Sequence, residues 1–401
     1  KRRRMRGKNP KERIQNAVEK SSELADSFTD RLQQSWRVVL AGAALVLSFS
    51  LFFLWTAFTN PFAKSSVEPS SGVSTEASTD QGYARTLDGV YVDAATSTHL
   101  LPLAVMVENS SDAWPLSGPA RANLVFEAPV EGSITRFMLL FDPANAVETI
   151  GPVRSARPYY VDWADGLNAL YAHVGGSPAA LSDIYQIDGF RDLDEFANGK
   201  YFWRSANRSA PHNVFTKTEN LTNAMEAKEY GVGDFRSWLY EGSQPPIASS
   251  QSPGANEKND ENDQESDDAV EEVDVPIINI PYQGVYEAHW EYDANTGLYT
   301  RYQNGAVQKD ADGEVVRVKN VAVIQSYATV LDRVGRLDLR TIGRGKAYVF
   351  HDGKRYEGEW KRNSGEHIRF EAIDGRDIPF ARGTTWISVL TSSAAMNKVV
   401  E

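Results

Sequence analysis

From Val38 to Phe58 the chain reads VVLAGAALVLSFSLFFLWTAF, 21 consecutive residues without a charge. At about 1.5 Å of rise per residue, such a run matches a hydrocarbon core about 30 Å thick and predicts one transmembrane helix. A cleaved signal sequence carries a shorter apolar run, about 7–15 residues, closed by small side chains. This one is longer and ends in Trp55 and Phe58, which favours a retained anchor. The 37 residues ahead of it hold eleven Lys/Arg against five Asp/Glu. Basic flanks stay on the cytoplasmic side, so the N-terminus is expected inside and everything after Asn60 outside. Within that flank Ile14, Val18, Ala25, Phe28 and Leu32 share one helical stripe. Two readings stand there: an amphipathic helix lying on the membrane surface, or a solvated extension of the span.

Beyond Tyr83 the pattern turns to short apolar runs. Leu101–Val107, Asn123–Ala128, Arg136–Phe141 and Ala169–Val174 read as strands, while Arg157–Asn168 and Ser177–Tyr185 read as helices, the second with Ser177 as N-cap and Pro178 at the first helical position. That order implies an α/β layer on a mixed sheet. After Ile277 the strands are Ala288–Tyr292, Tyr299–Tyr302, Val315–Gln325, Lys346–His351, Arg355–Lys361 and Thr385–Leu390, punctuated by Asn-Gly and Asp-Gly turn signals. A smaller, mostly-β barrel or sandwich is expected there. The organisation predicted is therefore a cytoplasmic basic segment 1–37, a transmembrane helix 38–58 and a Ser/Thr-rich stalk 59–82. An α/β outer domain 83–245, an acidic disordered linker 246–276 and a β-rich C-terminal domain 277–401 follow, the two outer domains folding independently.

Charge sharpens this division. The net charge is −12, and removing the N-terminal surplus of +6 (11 − 5) leaves −18 outside. Nucleic acid is excluded as a partner, because phosphate binding needs a dense basic patch and none follows residue 60. Between Glu257 and Asp274 there are ten Asp/Glu and one Lys, without the register of a calcium loop, so this stretch reads as a self-repelling linker. Cysteine is absent, which removes disulfides, thiolate metal sites, a catalytic thiol and a lipid-bearing cysteine. No metal set and no cofactor fingerprint emerges: the Gly-Gly-Ser after His173 lacks the G-x-G-x-x-G spacing.

Several long stretches carry a resemblance: LPLAVMVENSSDAWPLSGPARANLVFEAPVEGSITRFMLLF, IGPVRSARPYYVDWADGLNALYAHVGGSP, DLDEFANGKYFWRSANRSAPHNVF and GRLDLRTIGRGKAYVFHDGKRYEGEWKR. In this order they resemble the YerB-like bacterial lipoprotein family, known as domain of unknown function 3048 with its own C-terminal partner domain. The resemblance spans nearly all of 83–245 and 280–390. It implies a bacterial envelope protein and no particular reaction. Members typically carry a lipid anchor, which this chain replaces with the apolar segment.

Chemistry concentrates in the same motifs. Glu127 and Glu131 flank the turn after one strand, Arg136 opens the next, and Arg154 and Arg157 sit in GPVRSARP just before a helix. Arginines beside a helix N-terminus suit an anion, since guanidinium forks and free N–H groups both favour it. The competing reading pairs them internally with Glu127, Glu131 or Asp162. His173 leaves a strand into two glycines, while Arg204, Arg208, His212 and Asn213 occupy a polar loop beside the aromatics Tyr201, Phe202 and Trp203. The ligand-binding set expected is Arg136, Arg154, Arg157, His173, Arg204, Arg208, His212 and Asn213. Catalytic candidates are Glu127, Glu131, His173 and His212. In the C-terminal domain His289, Trp290, Tyr292, Tyr299 and Tyr302 suit either a sugar-stacking face or half-buried sheet positions. Ser177 lacks a nucleophile elbow, and its cap position accounts for it.

Three functions follow as alternatives. A membrane-anchored extracytoplasmic protein binding a cell-wall glycan or an envelope protein comes first. A hydrolase or transferase acting on peptidoglycan or another anionic glycan is second, and it needs two carboxylates about 5–10 Å apart. A scaffold without a ligand is third. They separate on whether Glu127, Arg154, Arg157 and His173 converge on an open cleft.

Overall fold

The computed structural model describes residues 82–233, 235–242 and 273–400. The expected cytoplasmic segment, membrane span and stalk, and the acidic linker as far as residue 272, lie outside the described residues. Among the described residues no helix is long and apolar enough to cross a membrane.

An eleven-stranded mixed sheet organises everything else. Its strands run in the order Val273–Asp274, Lys354–Arg362, Gly343–His351, Asn320–Gln325, Thr385–Leu390, Leu124–Pro129, Thr135–Phe141, Leu103–Glu108, Leu170–His173 and Asp192–Asp194, with Arg369–Ala372 added beside Lys354–Arg362. The four strands expected in the first segment and both of its helices, Pro158–Gly166 and Pro178–Gln186, form within a few residues of their predicted limits. Pro at the first helical position fits both helix starts, and the Ser177 hydroxyl accepts from the Ala180 amide at 3.2 Å.

The two outer segments, expected to fold independently, share one sheet. Thr385–Leu390 runs parallel to Leu124–Pro129, with Trp386 beside Val125 and Ser388 beside Glu127, so the C-terminal strands join the edge of the N-terminal ones in the middle of one continuous sheet. Its other neighbour, Asn320–Gln325, is also parallel. All six residues of Leu103–Glu108, Asn320–Gln325 and Thr385–Leu390 are buried, as strands covered on both faces must be. Alternate side chains feed two cores, and each contains both segments: Val105, Phe137, Val323 and Trp386 on one face, Met106, Phe126, Ile324 and Ile387 on the other. Thr79–Glu401 is accordingly one compact unit.

Each face has a different cover. Over the first lies a five-stranded antiparallel sheet built on Ile277–Ile280, Ala288–Asp293 and Leu298–Gln303, which sends Ile278, Trp290 and Tyr299 into the core. Over the second lies Pro158–Gly166 with Tyr159, Tyr160 and Trp163. The C-terminal segment is mostly β as expected, but its strands split between the central sheet and this smaller open one, and they do not close into a barrel. The predicted strand Val315–Gln325 shows why: Arg317–Val318 pairs into the small sheet and Asn320–Gln325 into the large one. The aromatics proposed to stack on sugar divide the same way. Trp290 and Tyr299 are fully buried core, whereas His289 and Tyr302 stack on each other on the outer side, ring centres 4.6 Å apart.

Candidate functional site

Beside the end of strand Leu103–Glu108 the chain returns as Gly151–Ala156, stitched on by backbone bonds. The Arg154 amide donates to Met106 O (2.9 Å), the Val153 amide to Val214 O (2.7 Å) and the Ala156 amide to Gly175 O (2.9 Å). Gly175 has φ +56°, a left-handed conformation that glycine enters without strain, and the second backbone approaches it there. This lattice lines Arg154 and Arg157 along an open cleft of about 510 Å³. Glu108, Glu131, Arg136 and His212 form its other charged walls, together with the Ser177 end of helix Pro178–Gln186 and Arg336 of a C-terminal hairpin.

Three of the four arginines lining the cleft are paired, Arg336 with Asp332 at 3.0 Å. Arg157 grips Glu131 bidentately, Nε and Nη2 each 2.7 Å from a carboxylate oxygen. Burial alone would raise the Glu131 carboxyl, but this fork holds it below the usual carboxylate range. Arg154 Nε stands 3.2 Å from Glu108 Oε1, and His212 Nδ1 is 2.7 Å from the other Glu108 oxygen. Arg136 differs. It is 94 % buried, donates from Nη1 to Ser155 O at 2.8 Å, and leaves Nε without a partner. Among the described residues no ion pair reaches it. Burial and the neighbouring Arg157 and Arg154 charges lower its guanidinium to about 10, still cationic at neutral pH. Arg136, Arg154 and Arg157 therefore meet two glutamates, and Arg136, the one of the three without an ion pair, is the most buried.

The other candidates lie elsewhere. Glu127 is fully enclosed on the far side of the sheet. Arg301 Nη2 is 3.0 Å from it and Trp386 Nε1 donates to it at 3.0 Å, while burial pushes its carboxyl up. With no exposed surface it is a structural anchor, and the acid/base pair of Glu127 with Glu131 does not form. His173 is likewise buried, its ring nitrogens 2.8 Å from Gly175 O and 2.7 Å from Asp192 Oδ1, so it fastens the strand end and does not line the cleft. Arg204 pairs with Glu195 at 3.0 Å and reaches Asn213 Oδ1 at 3.3 Å. Arg208 donates to the Pro115 carbonyl at 2.7 Å and packs over Phe215. These two arginines and Asn213 hold the loop and stand outside the cleft. Tyr201 and Phe202 fill the core, and Trp203 stacks on Phe215.

Glu108 is the cleft residue that the sequence reading passed over. It ends the apolar strand Leu103–Glu108, and its register partner across the sheet is Arg136. An isolated acid terminating VMVE was the available signal. For a metal, the closest grouping among the described residues is Glu241, His351 and Asp352, with ligand atoms within 4.8 Å of one another. The Lys319 ammonium already occupies Asp352 at 2.6 Å, so these donors are arranged for an ion pair.

The described residues thus form a mixed sheet with an arginine-rich cleft beside the strand end at Glu108. The chain belongs to the family described as protein of unknown function DUF3048: its N-terminal domain matches residues 87–231 and its C-terminal domain residues 278–387. It is 31 % identical over 296 residues to YerB of Bacillus subtilis (strain 168), named there as a candidate lipoprotein, covering 73 % of this chain and 82 % of that one. The crystal structure of Bacillus subtilis YerB is similar at a TM-score of 0.65 and 27 % identity, covering 78 % of this chain and 98 % of that one.

Proposed function

We propose that this is an extracytoplasmic, membrane-attached envelope protein whose cleft binds an anionic group of a cell-wall component. The observation that carries this reading is Arg136. A buried guanidinium is retained in a core only at a cost unless something neutralises it, and here the nearby carboxylates, Glu108 across the strand pair and Glu131, are already held by Arg154 and Arg157. A carboxylate or phosphate entering between Arg136 and Arg154 supplies the missing acceptor, and the N-terminal end of helix Pro178–Gln186 adds a favourable dipole. The lipoprotein naming of the relative and the apolar segment Val38–Phe58 support the membrane side of the proposal. Hydrolysis is less well supported: Glu127 is sealed, and Glu131 is held ionised by Arg157, which suits binding and not proton donation.

Titration calorimetry of the full chain with inorganic phosphate and with purified peptidoglycan fragments tests it. Saturable binding is expected, falling at least about tenfold in Arg136→Gln, since one charge-assisted hydrogen bond contributes about 1.5–3 kcal/mol. Absence of binding to either probe, or binding indifferent to Arg136, would overturn the anion site.

A further inference from the structure

Next to the arginine cleft stands a two-stranded hairpin, Ala328–Val330 paired with Leu337–Leu339, set apart from the main sheet. An isolated pair of strands gains little stability by itself. Yet its tip presents Val330, Leu331 and Val334 to solvent, each more than half exposed. Clustered aliphatics of this kind mark a contact surface. The hairpin is a wall shared between two hollows: Val334 and Arg336 line the arginine cleft, while Val330, Gly335 and Leu337 line a second hollow of about 390 Å³. The turn after strand Leu124–Pro129 divides in the same manner, Glu131 facing the cleft and Gly132 and Ser133 the second hollow, with Val130 common to both. Pro129, Tyr282, Leu337, Val389 and Leu390 line the second hollow, together with Ser133, Gln283, Thr391 and Ser392.

A cationic pocket and a groove of mixed lining that share a wall, beside exposed aliphatics at the hairpin tip, match a molecule with both characters. We propose that the ligand is an anionic lipid, its phosphate headgroup held at Arg136 and Arg154 and its aliphatic chain laid over Val130 into the groove beside the hairpin. This rests on the anion reading of the cleft and adds the chemical class of the ligand. Charge complementarity selects the head, and the hairpin aliphatics, Val334 on the cleft wall and Val330 on the groove wall, select the tail. Each methylene buried in the groove should tighten binding about fourfold, so even a short chain should matter.

The test uses the full chain in phosphatidylcholine nanodiscs, titrated with inorganic phosphate, dihexanoyl phosphatidate and dihexanoyl phosphatidylcholine, the last a control for partition into the disc. Dihexanoyl phosphatidate is expected to bind at least about tenfold more tightly than phosphate and more tightly than the choline lipid. Val330→Asp, at an exposed position, should abolish that gain and leave phosphate affinity unchanged, whereas Arg136→Gln should weaken both anions. Phosphate binding without any gain from the chains overturns the lipid proposal and leaves the anion site standing. A gain that survives Val330→Asp overturns the placement of the chain. If none of the three binds, both readings fall.

Discussion

Arg301 Nη2 lies 3.0 Å from Glu127 Oε1 across 174 residues of sequence, and neither side chain has any exposed surface. Trp386, Trp290 and Phe137 enclose the guanidinium, at 4.6, 5.5 and 5.8 Å from its carbon. The ion pair therefore pins the small C-terminal sheet to strand Leu124–Pro129 in the middle of the large one. Removing one partner leaves a buried charge alone, which costs about 3–5 kcal/mol. Arg301→Met is expected to lose that much in urea unfolding, and the double variant Glu127→Met/Arg301→Met to recover most of it. An Arg301→Met protein as stable as the wild type would show that the pair contributes nothing.

The same seam governs the two segments. Because Thr385–Leu390 completes the sheet between Asn320–Gln325 and Leu124–Pro129, separate expression of 83–245 and 277–401 strips a central strand of its neighbour and opens both cores. Neither piece alone should show a cooperative thermal transition, and mixing them should restore one. Two independent transitions would contradict the shared core.

What the sequence disclosed was local. The strand Leu103–Glu108 is legible because its run is unbroken, and Ser177-Pro178 because cap chemistry is carried by adjacent residues. The pairing of residues 385–390 with 124–129 was not, since both are buried on two faces and any such strand could adjoin any other. Proximity in sequence grouped Glu127 with Glu131, yet four residues later, across a turn, the chain faces the opposite side of the sheet. Arg301 was legible in hindsight: in LYTRYQ the inward phase is Tyr299, Arg301, Gln303, which places a cation in a core and demands a buried acid. Arg136, Arg154 and Arg157, expected together in one ligand-binding set, do converge, because two distant strand ends meet a helix start.

Acid should act through His367. Its ring is buried between Phe235 and Trp238, Nε2 lacks a partner, and burial together with Arg369, Arg236 and Arg362 lowers it to about 4. The unfolded chain protonates near 6.5. Between those values the unfolded state binds more protons, so stability rises with pH across the window and falls on acidification, by up to about 3 kcal/mol for a shift of this size. Urea melts at pH 7, 5.5 and 4.5 should show this loss in the wild type and a shallower one in His367→Phe. Carboxylates such as Glu131 titrate lower and act equally in both. Identical slopes for the two proteins would remove His367 from the account.

Arg136 separates stability from binding. Its guanidinium is desolvated, repelled by Arg154 and Arg157, and satisfied by one carbonyl. Substituting Arg136→Met keeps the aliphatic length, ends the repulsion and removes an unpartnered polar atom, so the variant is expected to melt at or above the wild-type temperature. Arg157→Ala has the opposite sign: it strands Glu131, half-buried and deprived of its fork, and should lower stability by about 1–3 kcal/mol. Both should lose phosphate binding. Only a functional requirement explains a residue whose removal stabilises the fold and empties the cleft of affinity. Paired measurements of melting temperature and phosphate affinity decide the matter: an Arg136→Met protein that is markedly destabilised would make this guanidinium a structural element of the sheet edge and return the cleft to the scaffold reading.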